Sequence, residues 1–178
     1  MDIGVISVRY ARALLKSATE AKLEDKVYQE MMTAAKSYLE VPQLRQTIDN
    51  PMLSKDKKES LLVTAVGEKP SVLIRTFISL VLKEDRENVF QFMAYSYITL
   101  YRKQKNVIRG KLTTAARVSA ETEQKMRQIV ESKTNGKVEF ETEVDPDIIG
   151  GFILEYDTYR MDASVKSKLN NILNTLKK

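Results

Sequence analysis

The apolar residues of this chain change their spacing once, near Gln104 to Val107, and that change dictates its architecture. Upstream they recur every three or four positions. Downstream Ile108, Gly110, Leu112 and Thr114 alternate with Arg109, Lys111 and Thr113. Side chains return to one helix face after three or four residues, and to one strand face after two. The switch predicts an all-α bundle over 1–105 followed by a small α+β domain over 106–178. With 178 residues, the chain is long enough for each part to enclose a core.

Six helices are expected before the switch. The first runs from about Val5 to Ala21. It carries Ile6, Tyr10, Ala13, Leu14 and Ser17 on one side and Val8, Ala11, Leu15 and Ala18 on another. The second, about Leu23 to Leu39, aligns Leu23, Val27, Met31, Ala35 and Tyr38; Pro42 opens a short third with Leu44 and Ile48, which Asn50-Pro51 ends. Ser54 caps the fourth, which buries Leu61, Leu62, Ala65 and Val66 and stops near Gly67. Pro70 starts the fifth, VLIRTFISLVL, apolar almost all round, and a polar turn precedes a sixth from about Asn88 to Lys103 with Phe90, Met93, Ala94, Tyr97 and Tyr101 on one stripe. Connections this short predict an antiparallel bundle.

After the first strand, Ser119 caps a helix through Lys133, with Met126, Ile129 and Val130 inward and Gly136 past its end. Val138, Phe140, Thr142 and Val144 then face inward while Glu139, Glu141 and Glu143 face out. Asp145-Pro146 turns, and Gly150-Gly151 precedes a strand alternating Phe152, Leu154 and Tyr156. A reversal at Asp157-Thr158 leads to a strand over Tyr159 to Met161. Ser164 caps a last helix with Val165, Leu169, Ile172, Leu173 and Leu176 on one stripe. The order β-α-β-β-β-α predicts a small mixed sheet with its helices on one face.

Composition narrows the chemistry. There is no cysteine and no histidine, which removes disulfides and thiolate or imidazole metal sites. No apolar run reaches the length of a bilayer span. The first residues lack the layout of a signal peptide, so an intracellular protein or a domain of a soluble assembly is expected. The net charge of +5 is spread among interspersed signs and reads as a solvated surface. A catalytic group would have to come from Asp, Glu, Lys, Ser, Thr or Tyr, and no catalytic, cofactor or metal residue is assigned. Glu139, Glu141 and Glu143 make a row that a divalent cation would suit, but a solvent-facing acidic strand explains it more simply. Gly67 to Ser71 lacks the glycines of a phosphate loop, and Pro70 deletes an N–H that such a loop uses. Tyr95, Tyr97 and Tyr101 lie beside Arg102, Lys103, Lys105, Arg109 and Lys111, the mixture of rings and cations found in nucleic-acid binders. Tyr97 and Tyr101 also belong to the apolar stripe of helix six, and a core role is more economical.

Helices one and five have more apolar surface than one packing face needs. If they lie side by side, Tyr10, Ala13 and Leu14 face Leu73, Phe77 and Leu80 across a groove able to take an amphipathic helix. On the residues alone, filling the bundle interior is the simpler use of these side chains.

The C-terminal stretch resembles the delta subunit of F-type ATP synthases, the bacterial counterpart of the mitochondrial oligomycin-sensitivity-conferring protein. The resemblance rests on Asp145-Pro146, Ile149-Gly150-Gly151, Phe152-Ile153-Leu154, Asp162-Ala163-Ser164-Val165 and Lys168-Leu169. It extends to Arg9-Tyr10-Ala11-Arg12-Ala13-Leu14 in helix one and Glu84-Asp85-Arg86 after helix five. Tyr156-Asp157-Thr158 replaces the family's glycine-containing turn, and Ala163 stands where glycine is usual. The resemblance implies a six-helix N-terminal domain whose groove between helices one and five receives the N-terminal helix of an alpha subunit. That role is carried first to Tyr10 and Ala13, then to Leu80. It further implies a C-terminal domain that grips the C-terminal ends of the b subunits of the peripheral stalk. The protein would then be a non-catalytic stator subunit on the cytoplasmic face of the bacterial inner membrane, peripheral, with no cofactor and no nucleic acid. The alternative reading is a basic nucleic-acid-binding or transcription-associated adaptor.

Overall fold

The computed structural model describes residues 3–134, 137–156 and 159–176. Two compact units divide the chain, Met1–Lys103 and Gln104–Lys178. The first contains α1 (Ile3–Glu20), α2 (Glu24–Glu40), α3 (Pro42–Asp49), α4 (Lys55–Val66) and α5 (Val72–Lys83), with a 3-10 turn over Glu87–Val89 and then α6 (Phe90–Lys105). The helical stripes read from the sequence form its core: Val27, Met31, Ile74, Ile78, Phe90, Met93, Ala94 and Tyr97 are all buried. Burying each large side chain contributes on the order of 1.5–3 kcal/mol.

Several boundaries differ from the sequence reading for local reasons. The fifth helix begins at Val72, two residues beyond Pro70, because Ser71 takes the N-cap and its Oγ accepts from the Ile74 N–H at 3.3 Å. Ser54 occupies the N-cap position of α4, but its hydroxyl makes no cap hydrogen bond. The sixth begins at Phe90, after the 3-10 turn. Tyr97 and Tyr101 donate their hydroxyls to the Glu24 carbonyl and the Asp25 carboxylate. Both rings are buried, which withdraws them from the stacking platform that the nucleic-acid alternative requires.

The second unit is a four-stranded mixed sheet in the order β2-β1-β3-β4, formed by β1 (Val107–Thr114), β2 (Lys137–Val144), β3 (Phe152–Tyr156) and β4 (Tyr159–Asp162). β1 runs parallel to β2 and antiparallel to β3. The crossover between the parallel pair is α7 (Ala120–Thr134), as a parallel connection demands. Leu112, Val138, Leu154 and Val130 of α7 make the core, with Phe140, Phe152 and Tyr156 around it. The ring of Phe140 lies over its strand partner Gly110, where an added Cβ would stand 2.6 Å from it. Gly136 and the Asp157-Thr158 reversal lie outside the described residues, as does the side chain of Ile129.

Two expectations of burial fail here. Thr142 and Val144 do not face a core: Val144 is 44% exposed. β2 is an edge strand, so its outer end has a neighbour on one side only. The stripe of α8 (Val165–Leu176) also stays in solvent: among the described residues the helix buries none of its side chains, so α7 alone supplies a helix to this core. The row of strand carboxylates is neutralised across the sheet, Lys111 Nζ meeting Glu143 at 2.7 Å and Arg109 meeting Glu141 at 3.5 Å.

The junction before α8 explains the glycine pair. Val165 N–H donates to the Gly150 carbonyl and Ala163 N–H to the Phe152 carbonyl, both at 2.9 Å, which presses the β4–α8 connection onto Gly150-Gly151. Ile149 adopts φ 69° as the Gly150 N–H closes back on the Ile148 carbonyl at 2.8 Å, a strained three-residue turn. On the other side, the Asp162 carboxylate accepts from the Ser164 N–H at 2.9 Å and the Ser167 hydroxyl at 2.8 Å. Hydrogen bonds from Ser164 and then Ser167 lower its pKa to about 2. Because the folded value lies below the unfolded one near 4, this tie is complete above that value and is lost as pH falls toward 2. Protection of the backbone amides in the first turn of α8, measured against their intrinsic exchange rates, should fall across that interval in the wild-type protein. In Asp162→Asn protection should already be lower at neutral pH and lack the acid step.

Candidate partner-binding groove

α1 and α5 wall the candidate site. The buried edge of α1, formed by Ile6, Ala11, Leu15 and Ala18, anchors it in the bundle and turns Tyr10, Ala13, Leu14 and Ser17 toward α5. Five residues of α5 (Ile74, Phe77, Ile78, Val81 and Leu82) are buried, while Leu73 is half-buried and Leu80 is 47% exposed. Between the two helices lies an open cleft of about 470 Å³ lined by Arg9, Tyr10, Ala13, Leu14, Ser17, Leu73, Thr76, Phe77, Leu80 and Glu84.

All six residues singled out from sequence border this one cleft, at different depths. Leu14 and Phe77 are buried and form its floor; Tyr10 is intermediate; Ala13 and Leu80 stand exposed at its edges. The Tyr10 ring meets Phe77 edge-on with centroids 6.4 Å apart, and Phe77 in turn lies 6.2 Å from Phe90 of α6. The floor is thus continuous with the aromatic core, and rings packed edge to face hold a defined geometry. Ser17 lies here as its place on the side of α1 that carries Tyr10, Ala13 and Leu14 predicts; Arg9, Thr76 and Glu84 were not assigned to the groove, and their polar character does not distinguish rim from open surface.

Sequence reasoning also missed what holds α5 in place. Glu30 of α2 is only 7% exposed, and its two carboxylate oxygens accept from the Ser71 N–H at 2.6 Å and the Ser71 hydroxyl at 2.7 Å. A carboxylate at a helix N-terminus also meets the positive end of the helix dipole. At the far end Lys58 Nζ, buried, meets Glu87 at 2.7 Å, and Lys55 meets Asp85 at 2.7 Å. α5 is therefore clamped at both ends while its outer face stays free, so the cleft is pre-formed. Glu30→Ala would leave two buried donors without partners, which costs about 2–4 kcal/mol. Urea unfolding is expected to show that loss, and Glu30→Gln, which keeps one acceptor, a smaller one.

The groove offers apolar contact and a polar rim, with no arrangement of acid, base and nucleophile. An apolar cleft of this kind is able to take an amphipathic helix. Comparison with known proteins agrees on one family. The family model described as ATP synthase delta (OSCP) subunit matches residues 6–176. The ATP synthase subunit delta of Phocaeicola vulgatus is 49% identical over 173 residues, 97% of this chain and 94% of that protein. Its counterpart in Bacteroides fragilis is 42% identical over 174 residues, with the same coverage. Among solved structures, a chain of the Toxoplasma gondii mitochondrial ATP synthase hexamer aligns with TM-score 0.62 over 97% of both chains. At 19% identity it shares the fold.

Proposed function

The chain belongs to the ATP synthase delta (OSCP) subunit family, a stator component of that enzyme, and we propose that it ties the catalytic head to the peripheral stalk. In this reading the helical unit holds the N-terminal helix of an alpha subunit in the α1–α5 groove. The α+β unit holds the C-terminal ends of the b subunits. The role is mechanical: the rotor turns inside the alpha/beta ring and would drag it round unless the ring were fastened to the membrane-bound stator. The subunit itself neither hydrolyses nucleotide nor conducts protons. It sits peripherally on the cytoplasmic face of the bacterial membrane, attached through its partners. No helix among the described residues is long and apolar enough to cross a membrane.

The observation that carries this reading is the open groove, with Leu80 exposed above a floor of Leu14 and Phe77. An amphipathic helix placing residues i, i+3, i+4 and i+7 there would cover Leu80 and Leu73 and complete the apolar layer. A standard interface of roughly 800 Å² per partner is compatible with a nanomolar constant, about 12 kcal/mol, the scale a torque-bearing tie demands. The exposed stripe Leu169, Ile172, Leu173 and Leu176 of α8 supports a contact for the stalk, since Leu176 is 79% exposed and Ile172 57%. Titrating the full chain with a peptide of the alpha-subunit N-terminal helix, followed by calorimetry, tests the groove. Saturable one-to-one binding that persists in high salt is expected. Absence of binding at tens of micromolar would remove the assignment.

A further inference from the structure

The chain leaves the helical unit through α6. The first residue of that helix, Phe90, sets its ring 6.2 Å from Phe77 in the groove floor. Past its other end Asn106 takes φ 52°, and β1 starts at the next residue; asparagine tolerates that left-handed value, which ends a helix. β1 is an interior strand, parallel to β2 on one side and antiparallel to β3 on the other. Just before this exit α6 is fastened to α2. Tyr101 donates its hydroxyl to the Asp25 carboxylate at 2.7 Å, and its ring stacks on Tyr28 at 4.1 Å with 15° between the planes. Arg102 Nε donates to the Tyr28 hydroxyl at 2.9 Å, and its guanidinium carbon lies 5.7 Å from the centroid of that ring. Tyr28 and Tyr101 are buried, and Arg102 is half-buried. α2 is in turn the helix whose Glu30 holds the start of α5.

From this arrangement we propose that Asp25, Tyr28, Tyr101 and Arg102 form a load-bearing fastening, which keeps α6 from unwinding from its C-terminal end when the chain is under tension. The proposal rests on the tether reading and adds where the load is held. The backbone from Lys105 to Val107 is the covalent link between the units, so tension between the groove and the α+β unit loads it. A helix pulled at its C-terminal end is vulnerable there, because its last carbonyls lack intrahelical partners and its turns open locally. Tyr101 and Arg102 oppose that opening. They are adjacent in sequence and hold α2 through separate contacts, so freeing the last turn breaks two hydrogen bonds and a ring stack together. Resistance to forced unfolding is set by the unfolding rate, and contacts placed where the force arrives act on that rate directly.

The chain has no cysteine, so introduced pairs give unique handles for single-molecule pulling on the full chain. Ser17→Cys with Asn174→Cys runs the tension through α6. Lys57→Cys with Lys83→Cys loads α4 and α5 and leaves α6 off the path. All four positions are exposed. On the first axis Arg102→Ala is expected to raise the unfolding rate of the helical unit at fixed tension about tenfold, since it removes a charge-assisted hydrogen bond and a cation–ring contact. Tyr101→Phe keeps the ring stack and should give a smaller rise on the same axis. On the second axis both variants should change the rate by less than about twofold. Equal acceleration on the two axes would mean general stabilisation of the bundle, and no acceleration on the first would mean that the end of α6 bears no load. Either result overturns the proposal and leaves the groove untouched. Absence of alpha-subunit peptide capture by the wild-type chain would instead overturn the tether reading, and with it the load assigned to this fastening.

Discussion

Leu80→Asp is expected to weaken capture of the alpha-subunit N-terminal helix by about a hundredfold or more, while circular dichroism and the unfolding midpoint stay close to wild type. Leu80 is already 47% exposed in the free protein, so an aspartate there is solvated and the fold loses little. In the proposed complex the same position is covered. The lost apolar contact is worth roughly 1.5–3 kcal/mol, and a carboxylate stranded without a partner adds at least about 1–3 kcal/mol. Ala13→Trp should act by a different route, since an indole on the exposed edge of α1 fills the space the incoming helix needs. Both variants are measured by titration against the peptide, and unimpaired binding by both would refute the groove. Leu14 and Phe77 are unsuitable for this test although they line the same cleft. They are buried to 3% and 7% exposure, and truncating the phenylalanine would cost the bundle about 3–5 kcal/mol on its own.

Gly151→Val should be the most damaging single change in the C-terminal unit, costing about 3 kcal/mol or more. Gly151 has φ 74°, and a Cβ there would collide with the backbone carbonyl of Ala163. A β-branched residue at such a φ is strained before any contact is counted, and the obstacle is main chain, which cannot rotate away. The neighbouring Gly150→Ala is expected to be much milder: its Cβ would meet Val165 Cγ2 at 3.1 Å, a side chain able to shift by a few tenths of an ångström. Hydrogen exchange resolves the effect. Protection of β1, β3 and β4 amides should fall in Gly151→Val while that of α2, α5 and α6 is retained. Equal stability of the two glycine variants would show that the β4–α8 connection does not depend on this close approach.

The elements of both units were legible because their apolar residues repeat. The α6 stripe from Phe90 to Tyr101 is buried as its spacing demands; a glycine pair before a strand suits either a bulge or a close backbone approach, and at Gly150-Gly151 the structure contains the close approach. What misled was reading amphipathicity as burial. Val144 and the α8 stripe carry the right pattern and remain in solvent, since periodicity says which residues share a face and not what covers it. The polar contacts that clamp α5, a hydrogen-bonded carboxylate and an ion pair, were silent for a related reason: Glu30 and Lys58 look like surface residues until the partners Ser71 and Glu87, 41 and 29 positions away, are brought beside them.

The amino-acid order alone thus determined the two kinds of domain, the helices and strands in them, the faces that must leave water, and the resemblance that pointed to the family. Tertiary structure decided which apolar faces meet. It left a cleft between α1 and α5, floored by Leu14 and Phe77, and kept α8 uncovered. The physical reason is that local spacing governs backbone hydrogen bonding and side-chain direction within a dozen residues. Whether an oily face is satisfied depends on helices and strands that the chain supplies from far away, or that another chain must supply.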